Sequence, residues 1–316
     1  MMASFRRIGV ALSAVLAAAM AASVSAAPAH REVTIVRDIQ GPEGPLVVDG
    51  TLYFVGWIDN TLSKWDGHKA TVIHTLASCG HNGLALTKQK TFLLACTNDP
   101  GAILELALDG KVLRSWTTDD KGAKLTGGVN DIAIAPDGGA YATLFGPYDG
   151  VNGPGELMGK LLYLAPGGAA WTQVAGDLNY ANGVGVSPDG RTLYVSQTVT
   201  GSILKFTIRP DGTLSHRSNF ALLDGLVLRR SASPWLGPDS LKLDHAGNLY
   251  VAQFFGGKVL KLSPDGKLLH VFTIAAGDGT TNVAFDADER NLYVSVVRDA
   301  SDPKAKGSIV RVENVR

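Results

Sequence analysis

The chain has 316 residues with 29 basic and 29 acidic side chains, 45% hydrophobic residues and two cysteines. A balanced charge without a basic stripe argues against a nucleic-acid partner, since nucleic acid is bound mainly by neutralising phosphates. Two cysteines without metal-thiolate spacing argue against a zinc or iron–sulfur centre. Small molecules are the partners such a composition suits.

At the amino terminus, Arg6 and Arg7 precede an apolar run from Ile8 to Val24, which closes on Val24-Ser25-Ala26 before Ala27. A basic start, a short hydrophobic middle and a small-residue cleavage site describe a secretory signal peptide over residues 1–26. A transmembrane anchor is the alternative, and the short Ala-rich run weighs against it. Cleavage would leave 290 residues with a formal charge of about −2, exported to the periplasm or secreted. In such an oxidising compartment Cys79 and Cys96 could persist as a disulfide; spacing alone does not decide it. No other stretch is apolar enough to span a bilayer, so no membrane partner is expected after cleavage.

The remainder, 27–316, reads as one repetitive domain. The clearest copies are Asn182-Gly-Val-Gly-Val-Ser-Pro-Asp-Gly-Arg-Thr-Leu-Tyr-Val195 and Asp239-Ser-Leu-Lys-Leu-Asp-His-Ala-Gly-Asn-Leu-Tyr-Val251. Each is a polar residue, an alternating apolar strand, a Gly turn and a second strand carrying Leu-Tyr. Weaker copies begin at Glu43, Asn82, Asn130 and Asn282. The aromatic of the second strand follows 10 to 12 residues later, at Tyr53, Phe92, Tyr141, Tyr194, Tyr250 and Tyr293. A third strand recurs at Leu62–Trp65, Ile103–Leu106, Leu161–Leu164, Ile203–Phe206, Val259–Leu262 and Ile309–Val312. Asp-Gly pairs such as Asp109-Gly110 and Asp265-Gly266, which favour tight hairpins, follow most of them.

Fourth strands are legible at Thr71–Thr75, Val112–Trp116, Trp171–Ala175 and Leu268–Phe272, and less clearly near Ser218–Leu222. The sixth unit lacks one, while a spare strand, Glu32–Val36, lies ahead of the first. Six units of about 48 residues closed in this way predict an all-β, six-bladed β-propeller with four-stranded blades, the amino-terminal strand completing the last blade. A β-sandwich does not explain a sixfold phase.

The first strand of each blade lines a propeller's central channel, so the opening residues Glu43, Asn82, Asn130, Asn182, Asp239 and Asn282 should converge at one end of the axis. All six carry a side-chain oxygen. Asn82 and Asn282 also fit the role of strand-capping turn residues. Two carboxylates near one axis repel unless a cation lies between them. An all-oxygen set without His or Cys selects a hard cation, and a wide ring suits Ca2+ better than Mg2+, although other divalent cations are compatible.

Gly41-Pro-Glu-Gly-Pro45, Asn130-Asp131, Ala181-Asn-Gly183 with Ser187-Pro-Asp-Gly190, and Pro238-Asp239 with Asp244-His-Ala-Gly-Asn-Leu-Tyr-Val251 resemble the senescence-marker-protein/gluconolactonase (regucalcin-like) propellers. The resemblance implies a metal held by Glu43, Asn182 and Asp239. It implies a substrate-binding role for Asn130, which in the related diisopropyl fluorophosphatase also belongs to the metal site. It implies a calcium-dependent hydrolase of a lactone or related ester, with Asp239 as the candidate catalytic base. Sugar-lactone members of that family often carry an Arg two residues before the third-blade Asn; here the position is Gly128, so a less polar lactone or ester is as good a candidate as gluconolactone.

Two insertions, Gly146–Lys160 and Leu223–Gly237, are expected to lid the pocket, with Phe145, Tyr148 and Trp235 as candidate walls or, alternatively, ordinary core aromatics. His81 could face the pocket as a proton shuttle, or be structural. The chain holds no Gly-x-Ser-x-Gly elbow, His-Glu-x-x-His helix or phosphate-binding Gly loop. The competing readings are a non-catalytic propeller in which calcium rivets the axis and the top face binds a small ligand or protein, a phosphotriesterase- or arylesterase-like enzyme, and a strictosidine-synthase-like enzyme. Oligomeric state is not encoded in any of these features.

Overall fold

The computed structural model describes residues 30–146, 156–228, 231–302 and 304–316. The signal-like segment and Tyr148 lie outside the described residues. Strands dominate, and the described residues contain one short 3-10 turn, Leu223–Gly225, but no helix long and apolar enough to cross a membrane.

The strands form six four-stranded antiparallel sheets, five of them running outward from the axis in chain order. The inner strands of blades one to six are Pro42–Val48, His81–Leu86, Val129–Ile134, Ala181–Val186, Gly237–Leu243 and Gly279–Phe285. Asp-Gly turns define the hairpins chemically: Asp211 Oδ1 accepts from Thr213 N at 3.0 Å while Gly212 takes a positive φ of 79°, the conformation glycine adopts without a Cβ penalty. The fourth blade's outer strand runs from Leu214 to Leu222, longer than the sequence suggested.

The ring closes as expected. Arg31–Gln40 pairs antiparallel with Lys306–Glu313, so the amino-terminal strand supplies the outer edge of blade six. Joining the two ends of the chain in one sheet removes the open seam that an unclosed ring would leave.

Six hydrophobic cores lie between neighbouring blades. One packs Ile103 and Trp116 of blade two against Ile132 and Leu144 of blade three; another packs Val36 and Ile309 of blade six against Leu52 and Phe54 of blade one. Each blade thus buries both faces, and the structure depends on every neighbour being present. In the core between blades one and two, Cys79 and Cys96 form a disulfide with a Cα–Cα distance of 4.6 Å, settling the pairing left open by the spacing.

All six inner strands share one irregularity. Glu43 faces Val55 and Leu46 faces Tyr53, so three steps on the inner strand match two on its neighbour. The same extra residue appears between His81 and Leu84, Val129 and Ile132, Ala181 and Val184, Pro238 and Leu241, and Thr280 and Asn282. A β-bulge at each of these points re-aims the side chains beside it and leaves one N–H off the ladder.

Candidate active site

The bulges produce two tiers at one end of the axis. The upper tier is Glu43, Asn82, Asn130, Asn182, Asp239 and Thr281, all buried and all lining one cavity of about 740 Å³. The lower tier is the next residue in each blade: Gly44, Gly83, Asp131, Gly183, Ser240 and Asn282. Glycine stands where inner strands approach most closely; a Cβ on Gly83 would lie 2.6 Å from Asp131 Cα, and one on Gly183 2.5 Å from Ser240 Cα.

This corrects one member of the expected ring. Tyr293 pairs with Ala284, as Tyr141 pairs with Ala133 and Tyr250 with Lys242. Counting back three residues in each blade gives Asn130, Asp239 and Thr281. Asn282 therefore sits one step lower, where its Nδ2 donates to Glu43 Oε2 at 2.8 Å. It positions a ring carboxylate and does not line the cavity.

Hydroxyls on the second strands hold the tiers together. Gly183 N donates to Ser196 Oγ at 2.7 Å, and Ser196 donates in turn to the carbonyl of Asp239 in the next blade. Asp131 N, Thr143 and the carbonyl of Asn182 repeat the arrangement one blade earlier. Asn282 N donates to Ser295 Oγ at 2.9 Å, and Thr281 Oγ1 to the carbonyl of Pro42 at 2.8 Å. Thr143, Ser196 and Ser295 each satisfy an amide that a bulge took off the ladder, which otherwise would be an unpaired buried donor.

Electrostatically, the site concentrates negative charge. Burial pushes the Glu43 carboxyl up to about 7, opposed by hydrogen bonds from Gly44 N and Asn282 and raised further by Asp131. Burial, and then the neighbouring Glu43, raise Asp239 well above the usual carboxylate range. A third carboxylate, Asp131, is fully buried but fully partnered. Its Oδ2 accepts from Ser240 Oγ at 2.6 Å, Lys242 Nζ at 3.0 Å and Val184 N at 3.4 Å, and its Oδ1 from Ile132 N at 2.9 Å. Lys242 is its ion-pair partner. Sequence reading missed both roles, because a Lys in the middle of an inner strand resembles any solvent-facing position.

The amides complete the set. Asn182 Nδ2 donates to Thr198 Oγ1 at 3.0 Å, while Asn182 Oδ1 and Asn82 Oδ1 are buried without a hydrogen-bond partner. Two crowded carboxylates and two unpartnered amide oxygens on one cavity floor are donors that fit a hard cation. Among the described residues, no three His, Cys, Asp or Glu side chains gather as a metal cluster; the oxygen set here is mixed, with only two carboxylates in the upper tier.

His81 does not line the cavity. It is fully buried in blade two against His74, with ring centroids 5.4 Å apart. Burial first, then His74, lowers it to about 4, so it stays neutral at ordinary pH and is no shuttle for the pocket. Phe145 and Trp235 do line the cavity, with Trp57, Tyr180, Phe254 and Phe255. A side chain at Gly128 would collide with the carbonyl of Thr97 and with Phe145.

A closed six-bladed propeller with a mixed carboxylate and amide floor at one end of its axis defines a class by architecture. Within that class, the chain belongs to the SMP-30/Gluconolactonase/LRE-like family, whose profile matches residues 41–298. It is 34% identical over 173 residues to a 6-deoxy-6-sulfogluconolactonase of Pseudomonas putida, covering 54% of each chain. It is 32% identical over 145 residues to lactonase drp35 of Staphylococcus saprophyticus, covering 45% of this chain and 41% of that one. The chain thus spans about half the length of the curated relatives it matches. Among solved structures, a gluconolactonase from Xanthomonas campestris aligns with a TM-score of 0.71 and 25% identity, covering 90% of this chain and 89% of that one. Regucalcin from Agrobacterium tumefaciens, described as a calcium-binding protein, shares the fold with a TM-score of 0.69 and 21% identity, covering 87% and 90%.

Two outcomes are expected. In chelator, folded Glu43 keeps its proton to about pH 7, whereas its ordinary value is 4.5. The folded state then binds more protons across that window, so stability should fall as pH rises from 4.5 to 7. Urea unfolding at stepped pH reads this directly, and a rise in stability over the same window would contradict it. Separately, Lys242→Met strands the Asp131 carboxylate and should cost about 2 kcal/mol, below a fully buried pair because the lysine is partly exposed. Adding Asp131→Asn should recover most of that loss; a double variant no better than the single one would show that the pair is not the cause.

Proposed function

We propose that the protein hydrolyses a lactone or closely related ester at the axial cavity, using a divalent cation, with calcium the best match to the donors. The observation that carries this reading is the cavity floor, where buried Glu43 and Asp239 sit with the unpartnered oxygens of Asn82 and Asn182. The lactonase names of its relatives support the same chemistry.

Glu43, Asn182 and Asp239 would hold the cation, with Asn130 at its margin and Asn82 as a further oxygen donor. Bound there, the cation would supply Lewis acidity to the carbonyl oxygen of the ester. The chain's own residues do the rest. Gly44 N and Asn282 fix one oxygen of Glu43 by hydrogen bonds of 2.7 and 2.8 Å. Asn130 orients the substrate through its amide. Asp239 takes a proton from the attacking water. Water's oxygen adds to the carbonyl carbon, the acyl C–O bond breaks, and that proton passes to the departing ring oxygen, giving a hydroxy acid.

Turnover of a lactone panel should require calcium and vanish with chelator, and Asp239→Asn should lower kcat by at least about 100-fold. Calcium titrated by calorimetry should bind the unaltered protein with a 1:1 stoichiometry. Binding without turnover of any lactone or aryl ester would replace the hydrolase reading with that of a ligand-binding propeller.

We further propose that the chain is exported. The signal-like amino terminus and the Cys79–Cys96 disulfide support this, since such bonds persist in oxidising compartments. Amino-terminal sequencing of the native protein should begin at Ala27. A blocked or uncleaved Met1 in a cytoplasmic fraction is the contrary result.

A further inference from the structure

The floor of the cavity is polar, and one part of its wall is aromatic, facing a polar part that includes Thr97, Asn98 and Asp99. Phe145 stacks on Tyr180, with centroids 4.9 Å apart and planes at 26°. Tyr180 meets Trp235 edge to face, also at 4.9 Å. Phe254 and Phe255 form a second edge-to-face pair at 4.9 Å. These residues come from blades three and five and from the connections on either side of blade four, so two aromatic groups line this part of the cavity.

Backbone conformation singles out two of them. Tyr180 has φ 43° and Phe255 φ 58°, the left-handed region that bulky side chains rarely occupy. Such residues persist where the surroundings over-determine them, and they cluster at ligand sites. In both cases the ring so presented lines the cavity.

Charge narrows the choice. Among the described residues that line the cavity none is Lys, Arg or His, whereas Asp99 and Asp302 lie on its rim. An anionic substituent would therefore meet like charge. On the aromatic part of the wall, a polyhydroxylated ring would leave hydroxyls against ring faces, which carry few hydrogen-bonding groups. Gly128 admits no side chain that could reach such hydroxyls.

Building on the hydrolase reading above, we propose that the preferred substrate is an uncharged lactone bearing a flat aromatic substituent. Its ring ester lies at the axial floor, and its substituent packs on the wall of Phe145, Tyr180, Trp235, Phe254 and Phe255. The substrate therefore differs in class from the sulfonated sugar lactone for which the Pseudomonas putida relative is named.

The test uses the full mature protein with calcium and five lactones: δ-valerolactone, its 6-phenyl and 6-cyclohexyl derivatives, glucono-1,5-lactone and the 6-sulfonated gluconolactone. The phenyl derivative should exceed δ-valerolactone in kcat/KM by at least about tenfold, with both sugar lactones below it. Trp235→Ala should reduce the phenyl-to-parent ratio about tenfold; Phe255→Leu provides the same comparison should that variant fold poorly. A merely structural role would lower both substrates alike. Preference for either sugar lactone, or a 6-cyclohexyl derivative matching the phenyl one, overturns the proposal. Calorimetry with the non-hydrolysable 6-phenyl lactam separates the two readings. Lactam binding without any lactone turnover sinks the hydrolase reading and leaves the aromatic wall as a binding site without a substrate, whereas lactone turnover without lactam binding or phenyl preference overturns this proposal and keeps the hydrolase reading.

Discussion

Six inner strands converge on one axis, and each carries one residue more than its neighbour can pair with. That repeated bulge is the constraint on which the site rests. A regular strand alternates its side chains between faces, so only every second residue could look toward the axis. The extra residue breaks the alternation and gives each blade two consecutive positions there. Crowding then decides what the second position can be: glycine where strands nearly touch, and Asp131, Ser240 or Asn282 where a side chain has room. The unladdered amides at the bulges need new partners, which Thr143, Ser196 and Ser295 supply. Thr143, Ser196 and Thr281 also donate to a carbonyl of the next blade, so the geometry of the floor is shared between blades and not set by any one of them.

The electrostatic balance of the two tiers differs, and the difference points to function. Asp131 in the lower tier has a lysine, a serine and two backbone amides, donors that satisfy both of its buried oxygens. Glu43 has two donors on a single oxygen, and Asp239 has Asn182 to oppose the effects of burial and of Glu43. The fold thus neutralises one carboxylate internally and leaves two beneath an open cavity. Filling that region with apolar side chains would have been the stable alternative. Retaining two crowded carboxylates and two unpartnered amide oxygens is a cost that binding of a divalent cation would offset.

Much of this was legible in the sequence because propeller blades repeat. The sixfold phase, the closing strand and the gathering of Glu43, Asn130, Asn182 and Asp239 at one end of the axis all follow from spacing. Spacing failed at Asn282, since a bulge separates residue count from spatial register and Thr281 takes the ring position there. Asn82, which also reads as a turn residue, lines the cavity instead. His81 is adjacent to it yet buried in the blade, a distinction set by strand pleat. Lys242 and Asp131 could not be paired from sequence, because they lie 111 residues apart and meet only across blade four. One missed signal was available: Tyr141-Ala-Thr143, Tyr194-Val-Ser196 and Tyr293-Val-Ser295 each place a hydroxyl two residues after the strand aromatic.

The division of the cavity into floor and wall also bears on what family membership can mean. The floor is built by inner strands whose close approach, glycines and cross-blade hydroxyls leave little freedom to vary, so chemistry can be held in common across distant relatives. The walls come largely from strand ends and connections at the top of the blades, where chain is free to change without disturbing the interblade cores. Trp235 and Phe255 illustrate this: neither belongs to the cores between blades, and both face the cavity. A third of residues identical over half the chain can therefore accompany the same ester chemistry with a different substituent recognised. On the proposed reading, function in this fold divides, with reaction type fixed at the axis and substrate identity set at the rim.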